Sequence, residues 1–268
     1  MNPNNIITLT TDFGTTDIFV GVMKGVILSI NPDAKIIDIT HDIEPQDIYA
    51  GAFLLNSAYS YFPPGTIHVG VIDPGVGSVR RAIAVATEQY YFVAPDNGLL
   101  SYVLCKEIVK SAVNLTNPKY FLPQVSNTFH GRDIFAPVAA HISRGVSLNL
   151  LGEQITNIAQ IPISIPDASE TEIIGQIIYI DRFGNLITNV SHELFESARK
   201  KRNFIIFVKD RQMRRICLAY AEVSAGELLG IFSSFGNLEI AINAGNAAEI
   251  LKVKRGDAIK IRFQGVIK

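Results

Sequence analysis

The sequence predicts an α/β protein in two parts: an N-terminal α/β domain with a largely parallel central sheet over residues 1–162, and a smaller C-terminal β-barrel-like domain over 170–268. Two observations predict this. Over the first 160 residues short β-branched runs alternate with longer stretches of helical period, the strand–helix order of a parallel sheet. Around 160–171 the texture changes: Ile161-Pro162, Ile165-Pro166 and the polar Asp167 to Thr171 read as a linker, after which short strands follow one another and helical periods stop.

Ile6 to Thr10 is the first strand, and Asp17 to Ile30 a helix with Phe19, Met23, Val26 and Ile30 on one face, stopped by Asn31-Pro32. Lys35 to Ile39 is the second strand, and Asp47 to Tyr61 a helix ended by Pro63-Pro64. Thr66 to Ile72 is almost wholly apolar, as in a strand buried on both faces. Further strands are expected at Ala82 to Ala86, Tyr90 to Ala94 and Ala112 to Leu115, with a helix from Asp133 to Arg144 that Gly145 ends. In the second part, strands fall at Glu172 to Ile180, Leu186 to Val190, Phe204 to Val208, Leu228 to Phe232, Leu238 to Ile242 and Ala258 to Phe263. Phe183-Gly184-Asn185-Leu186 recurs as Phe235-Gly236-Asn237-Leu238 between strands, which reads equally as a repeated turn or as a functional echo.

With 48% hydrophobic and 18% charged residues, the 268-residue chain can bury a large core, and intrinsic disorder is excluded. Lys+Arg of 24 against Asp+Glu of 25 leaves a net charge of −1 without a long basic block, which argues against a nucleic-acid partner. No apolar run approaches the roughly 18 residues of a membrane span, and the polar start lacks the pattern of a signal peptide. A soluble, cytoplasmic protein is expected. Cys105 and Cys217 lie far apart, implying neither disulfide nor structural zinc, and both are expected to be buried.

Ligands of open α/β sheets sit beyond the carboxyl ends of the strands. The first strand runs into Thr10-Thr11-Asp12-Phe13-Gly14, where Asp12 either accepts hydrogen bonds from a vicinal diol or caps the next helix. The third empties into Asp73-Pro74-Gly75-Val76-Gly77-Ser78-Val79-Arg80, where Arg80 returns to Asp73 as a site pair or as a structural ion pair closing the loop. His130, in Phe129-His130-Gly131-Arg132-Asp133, stands at a helix start, whose positive end keeps an imidazole neutral. His68, inside a strand, His141, inside a helix, and the turn residues His41 and His192 carry less weight. Asp12, Asp73, Asp96, His68 and His130 form an imaginable hard-ligand cluster, but the spacing gives it little support, and no metal site is assigned.

These segments resemble, over nearly the whole chain and in order, the adenosine-forming S-adenosyl-L-methionine hydrolases, or hydroxide adenosyltransferases, which are similar to bacterial fluorinase and chlorinase. The likeness rests on Thr10 to Gly14, Gly21-Val22-Met23-Lys24-Gly25, Asp73 to Gly77 with Arg80, Ala94-Pro95-Asp96-Asn97-Gly98, Phe129 to Asp133, Asp181-Arg182-Phe183-Gly184-Asn185 and Ser233-Ser234-Phe235-Gly236-Asn237-Leu238-Glu239. The resemblance implies a homotrimer with sites between subunits, a small-molecule substrate, S-adenosyl-L-methionine, and no cofactor. It assigns the ribose hydroxyls to Asp12, the side-chain triad of the hydrolases to Asp73, Arg80 and His130, the methionine amino group to Asp181, the adenine edge to Asn185 and the methionine carboxylate to Ser234. The halogenases carry Arg where this chain has Phe235, a departure that favours hydrolysis over halide transfer.

The chemistry agrees. Displacement at C5′ expels a neutral thioether from a sulfonium, so neither a general acid nor a metal is required; the difficulty is water, with a pKa near 15.7. Arg80 stays protonated and fixes Asp73, while Asp73 and His130 orient the water or accept its proton. Two other readings stand beside this one: a binding protein that keeps the adenosyl pocket without turnover, and, more distantly, a metal-dependent phosphohydrolase.

Overall fold

The computed structural model describes residues 2–266. The chain divides into two units, Met1–Ile163 and Ser164–Lys268.

In the first unit the elements follow as β1 (Ile6–Thr11), α1 (Phe19–Ile30), β2 (Lys35–Thr40), α2 (Ile48–Ala58), β3 (Ile67–Val71), β4 (Ala82–Thr87), β5 (Tyr91–Pro95), α3 (Ser101–Leu104), β6 (Val109–Leu115), α4 (Ala136–Ser143) and β7 (Gly152–Gln154). They form one seven-stranded sheet in the order β2-β1-β3-β5-β4-β6-β7. Its first four strands are parallel. The β5-β4-β6-β7 side is antiparallel. The sequence places these strands in the right layer but not their direction, which the short link from β4 to β5 decides, being too short for a crossover. Period-two alternation sorts the two faces. Ile7, Leu9, Ile67 and Val69 share a core with Met23 and Ile27 of α1 and Val138 and Ile142 of α4. On the other face α2 approaches closely: a Cβ at Gly70 would lie 2.7 Å from Leu99 and 3.7 Å from Leu55.

That second face holds a buried imidazole. His68 shares a 2.8 Å hydrogen bond between its Nδ1 and Thr8 Oγ1. The rings of Tyr59, Phe62, Tyr90 and Phe92 surround it at 5.3–6.1 Å. Burial pushes its pKa down from 6.5 to about 3. Below pH 6.5 the unfolded chain therefore takes up a proton that the native chain refuses until about pH 3, so stability falls with falling pH across that window, by about one proton in slope. Urea midpoints are expected to drop from pH 7 to pH 5, and His68→Gln to flatten the slope by that proton; an unaltered slope would show that His68 is not the group responsible.

The second unit contains β8 (Asp167–Ala168), β9 (Glu172–Ile180), β10 (Leu186–Ser191), α5 (His192–Arg199), β11 (Arg202–Val208), β12 (Arg211–Met213), β13 (Ile216–Cys217), β14 (Leu228–Phe232), β15 (Asn237–Ile242), α6 (Ala247–Leu251) and β16 (Ala258–Val266). The strand path is β12-β11-β16-β9-β10-β15-β14-β13, with β8 beside β9. Ile173, Leu186, Ile206, Ile240 and Ile261 from along that path meet Phe195 of α5 in one core, so the sheet curls around it in barrel-like fashion. The expectation that helices stop is corrected by α5 and α6. Both are short, yet both are capped: Ser191 Oγ accepts from Leu194 N and Asn246 Oδ1 from Glu249 N. Cys217 is buried as expected, but Cys105, which follows the short α3, is exposed.

No helix among the described residues is long and apolar enough to cross a membrane.

Candidate active site

The chain leaves β1 toward β2 but leaves β3 toward the other side of the sheet, so the carboxyl ends of β1 and β3 part and open a crevice. Thr11 and Val71 are paired across those two strands, which brings Asp12 and Asp73 out side by side.

Asp12 does not cap α1, which begins at Phe19 with no side-chain cap. Its Oδ2 instead accepts from Gln46 N at 2.8 Å. Burial holds its carboxyl above the ordinary value; the Gln46 hydrogen bond opposes this and the Asp73 charge adds to it.

Arg80 returns to Asp73 across the loop. Its Nε donates to Oδ1 at 2.9 Å and to Oδ2 at 3.1 Å. Its Nη2 donates to Oδ2 as well. The two side chains are only 10% and 5% exposed, and the Phe135 ring lies 5.4 Å from the guanidinium carbon. The same Nη2 is 2.7 Å from His130 Nδ1. A guanidinium offers donors only, so Nδ1 is the acceptor and the neutral ring carries its proton on Nε2. The helix-end account of a neutral His130 gives way to two stronger causes: burial first and the Arg80 charge second hold its pKa below the usual value.

The strand order alone does not bring His130 there. Asp133, fully buried, accepts from Ser126 N and Ser126 Oγ at 2.8 and 2.7 Å, and pairs with Arg132 at 2.5 Å, which closes the 126–133 loop. His130 then enters α4 through a π-helical turn, Gly131–Phe135. The loop after β3 packs directly on this segment at Gly77, where φ is +75° and a Cβ would lie 2.3 Å from Asn127 O. Phe13, Phe19 and Phe129, with ring centroids 5.3–5.7 Å apart, form an apolar wall beside the two loops.

The imagined metal cluster does not form. His68 is committed to Thr8 in the core, and Asp96 pairs with Arg81 at 2.5 Å and accepts from Ala159 N at 2.8 Å. No group of three His, Cys, Asp or Glu side chains suited to hold a metal gathers among the described residues. Asn97, whose Nδ2 donates to Ile72 O at 2.8 Å, instead braces the end of β3.

In the second unit Asp181 and Asn185 belong to one closed turn between β9 and β10. Asp181 Oδ1 accepts from Phe183 N and Asn185 N, both at 2.9 Å, and Oδ2 accepts from Asn185 Nδ2 at 3.0 Å. Gly184, at φ +82°, lies where a Cβ would be 2.0 Å from Asn246 Oδ1, so the turn is seated against the start of α6. Ser234 is exposed at the opposite end of the β10–β15 pair, where His192 N donates to Gly236 O at 2.9 Å.

A crevice at the reversal of strand order, lined by a second carboxylate beside an acid–guanidinium–imidazole group, defines an α/β enzyme with an added β-rich domain. The chain belongs to the SAM hydroxide adenosyltransferase family: the model of the family's N-terminal domain matches residues 7–152 and that of its C-terminal domain residues 175–260. It is 40% identical to the (R)-S-adenosyl-L-methionine hydrolase of Methanocaldococcus jannaschii, over 97% of this chain and 96% of that protein. It is 36% identical to the protein of the same name from Salinispora tropica, over 97% and 99%. Among solved structures it is similar to an uncharacterized conserved protein from Thermotoga maritima, with a TM-score of 0.90, 39% identity and coverage of 96% and 99%.

Sequence reading missed His41 and Gln46. His41, taken as turn chemistry, is 3% exposed with Nδ1 2.8 Å from Thr11 Oγ1. Asp38 stands only three residues before it, but the contact that ties it to the site comes from Thr11, thirty residues away on β1, which no local spacing marks.

Proposed function

We propose that this protein hydrolyses S-adenosyl-L-methionine to adenosine and L-methionine by in-line attack of water on C5′. The observation that carries this is the Asp73-Arg80-His130 group standing beside Asp12 at the switch point, in a chain whose relatives over nearly full length are named (R)-S-adenosyl-L-methionine hydrolase.

In this reading the oxygen–C5′ bond forms as the C5′–S bond breaks, and the electron pair leaves on sulfur as a neutral thioether. The water proton passes to the Asp73 carboxylate and on to solvent. Arg80 holds that carboxylate by a fork and sets one positive charge beside the point where hydroxide character develops. His130 is not the base while its Nδ1 accepts from Arg80; its Nε2–H orients the water as a donor. Asp12 grips the vicinal hydroxyls of the ribose. The reaction itself asks for no cofactor, since the leaving group is neutral. In the second unit Asn185 gives one amide proton to Asp181 and keeps the other, with its carbonyl, for adenine N7 and the exocyclic amine, and Asp181 takes the methionine amino group. Ser234, at the far end of the β10–β15 pair, is kept for the methionine carboxylate.

A homotrimer whose sites are completed by a neighbouring copy, and a cytoplasmic location, belong to the same reading. The exposure of apolar tips next to site residues supports the assembly: Phe183 is 76% and Phe235 52% exposed, and Val79 is fully so.

Turnover in labelled water tests the reaction. The label is expected in the 5′-hydroxyl of adenosine; unlabelled adenosine refutes water as the nucleophile, and adenosine binding without turnover favours the binding-protein alternative. Sedimentation of the same sample is expected to give three chains, and a fully active monomer refutes the shared site.

A further inference from the structure

The loop after β2 grips the loop after β1 at three successive places. His41 O accepts from Gly14 N at 2.8 Å. Gln46 N donates to Asp12 Oδ2 at 2.8 Å, from a residue held at φ +69° although it is not a glycine. Between them lies the buried His41 ring. Thr11 Oγ1 accepts from Phe13 N at 3.3 Å and shares a 2.8 Å hydrogen bond with His41 Nδ1. Asp38 Oδ1, which can only accept, lies 3.1 Å from Nε2 and favours the ring proton there, which leaves Nδ1 to accept from the Thr11 hydroxyl. Asp38 is itself paired with Lys24 of α1 at 2.5 Å. A chain of contacts thus runs from α1 through β2 to the residue immediately before Asp12.

We propose that His41 is a positioning residue: through Thr11 it fixes the exit of β1, so that the Asp12 carboxylate meets the two ribose hydroxyls at a set angle. Its catalytic effect is indirect, because the buried ring is engaged with Thr11 and Asp38 and acts through the backbone they hold. The inference rests on Asp12 being the ribose-binding group. A bidentate contact to two neighbouring hydroxyls is demanding in angle, and Asp12, whose other restraint is the Gln46 amide, turns with the backbone of Thr11. The strained Gln46 backbone is consistent with a segment shaped to face Asp12 rather than merely to turn.

Two variants separate the contacts. Asparagine places its amide where Nδ1 stands and keeps the Thr11 partner, whereas leucine fills the volume and keeps neither contact. His41→Leu is expected to raise KM for S-adenosyl-L-methionine and the Kd for adenosine about 5- to 10-fold, with kcat within about twofold, as expected for one lost hydrogen bond. His41→Asn is expected to recover most of that loss. The decisive probe is 2′,3′-dideoxyadenosine, which lacks both hydroxyls: calorimetry should show His41→Leu weakening it hardly at all. Equal weakening of adenosine and the dideoxy compound, or no weakening of either, overturns the positioning role. If the unaltered protein itself fails to prefer adenosine over the dideoxy compound, the assignment of Asp12 to the ribose falls instead. Should His41→Leu fail to fold, the same comparison made on Thr11→Val, which removes the hydroxyl partner of the ring, and on Asp38→Asn decides, since a loss confined to the diol-bearing ligand supports the proposal and an indiscriminate loss refutes it.

Discussion

Asp73→Asn is expected to lower kcat by about 10²- to 10³-fold, the scale of losing one positioned proton acceptor, while adenosine binding changes by no more than about threefold. The substitution is isosteric, so Arg80 still finds a carbonyl oxygen where Oδ1 stands. Its second partner becomes an amide N–H facing the guanidinium, a repulsive arrangement in a place where both side chains are at least nine-tenths covered. Water bound there loses the negative oxygen that draws its proton away, and His130 cannot replace it, because its Nδ1 is held by Arg80. The ribose hydroxyls, by contrast, are gripped by Asp12 through a separate loop. The split between turnover and affinity is therefore the informative quantity. If kcat/KM falls because adenosine no longer binds, Asp73 holds the loop together and does no chemistry. Truncating His130 to alanine is expected to cost less than Asp73→Asn, since it removes an orienting donor and leaves the acceptor in place.

How much of this was legible beforehand depended on whether the signal was local. The β1–α1–β2–α2–β3 order could be read because the apolar periods of those segments are long and ended by Asn-Pro and Pro-Pro breaks. The seven-residue return from Asp73 to Arg80 was legible for the same reason: loop chemistry and pair lie in one stretch. The direction of β4 and β6 was not, being set by pairing partners and not by their composition. Helices α5 and α6 were too short for a period to show, although Ser191 and Asn246 stood at their starts as capping residues. The repeated Phe-Gly-Asn-Leu is one turn used in two ways. Both glycines take φ +82°, yet Asn185 closes on Asp181 while Asn237 reaches across to Thr188 O at 2.8 Å. His41 was invisible because the local pair it makes with Asp38, three residues before it, says nothing of the site, and the contact that does, to Thr11 on β1, is tertiary.

Gly77→Ala is expected to disable the enzyme through geometry alone, without touching a reacting group. Two separate penalties meet at this position. The backbone is at φ +75°, where an alanine costs about 1–2 kcal/mol. In addition, its Cβ would stand 2.3 Å from Asn127 O and 3.2 Å from Asn127 C, and a backbone carbonyl cannot rotate aside as a flexible side chain does. The two loops would have to separate by about 1 Å, and misplacement on that scale is enough to cost about 10²-fold in rate. The loop that moves carries His130 three residues on, whose contact to Arg80 is only 2.7 Å, so strain becomes lost catalysis through that hydrogen bond. Gly145→Ala is the matching control: φ is +87° there, but nothing lies within 4 Å of its Cβ, so it bears the backbone penalty alone. Thermal unfolding is expected to show Gly77→Ala less stable than Gly145→Ala, by about 1–3 kcal/mol for the added crowding, and kinetics to show the loss of kcat only in the former. If both variants lose stability equally and keep the same turnover, the close approach of the two loops is not what holds the Asp73-Arg80-His130 group together.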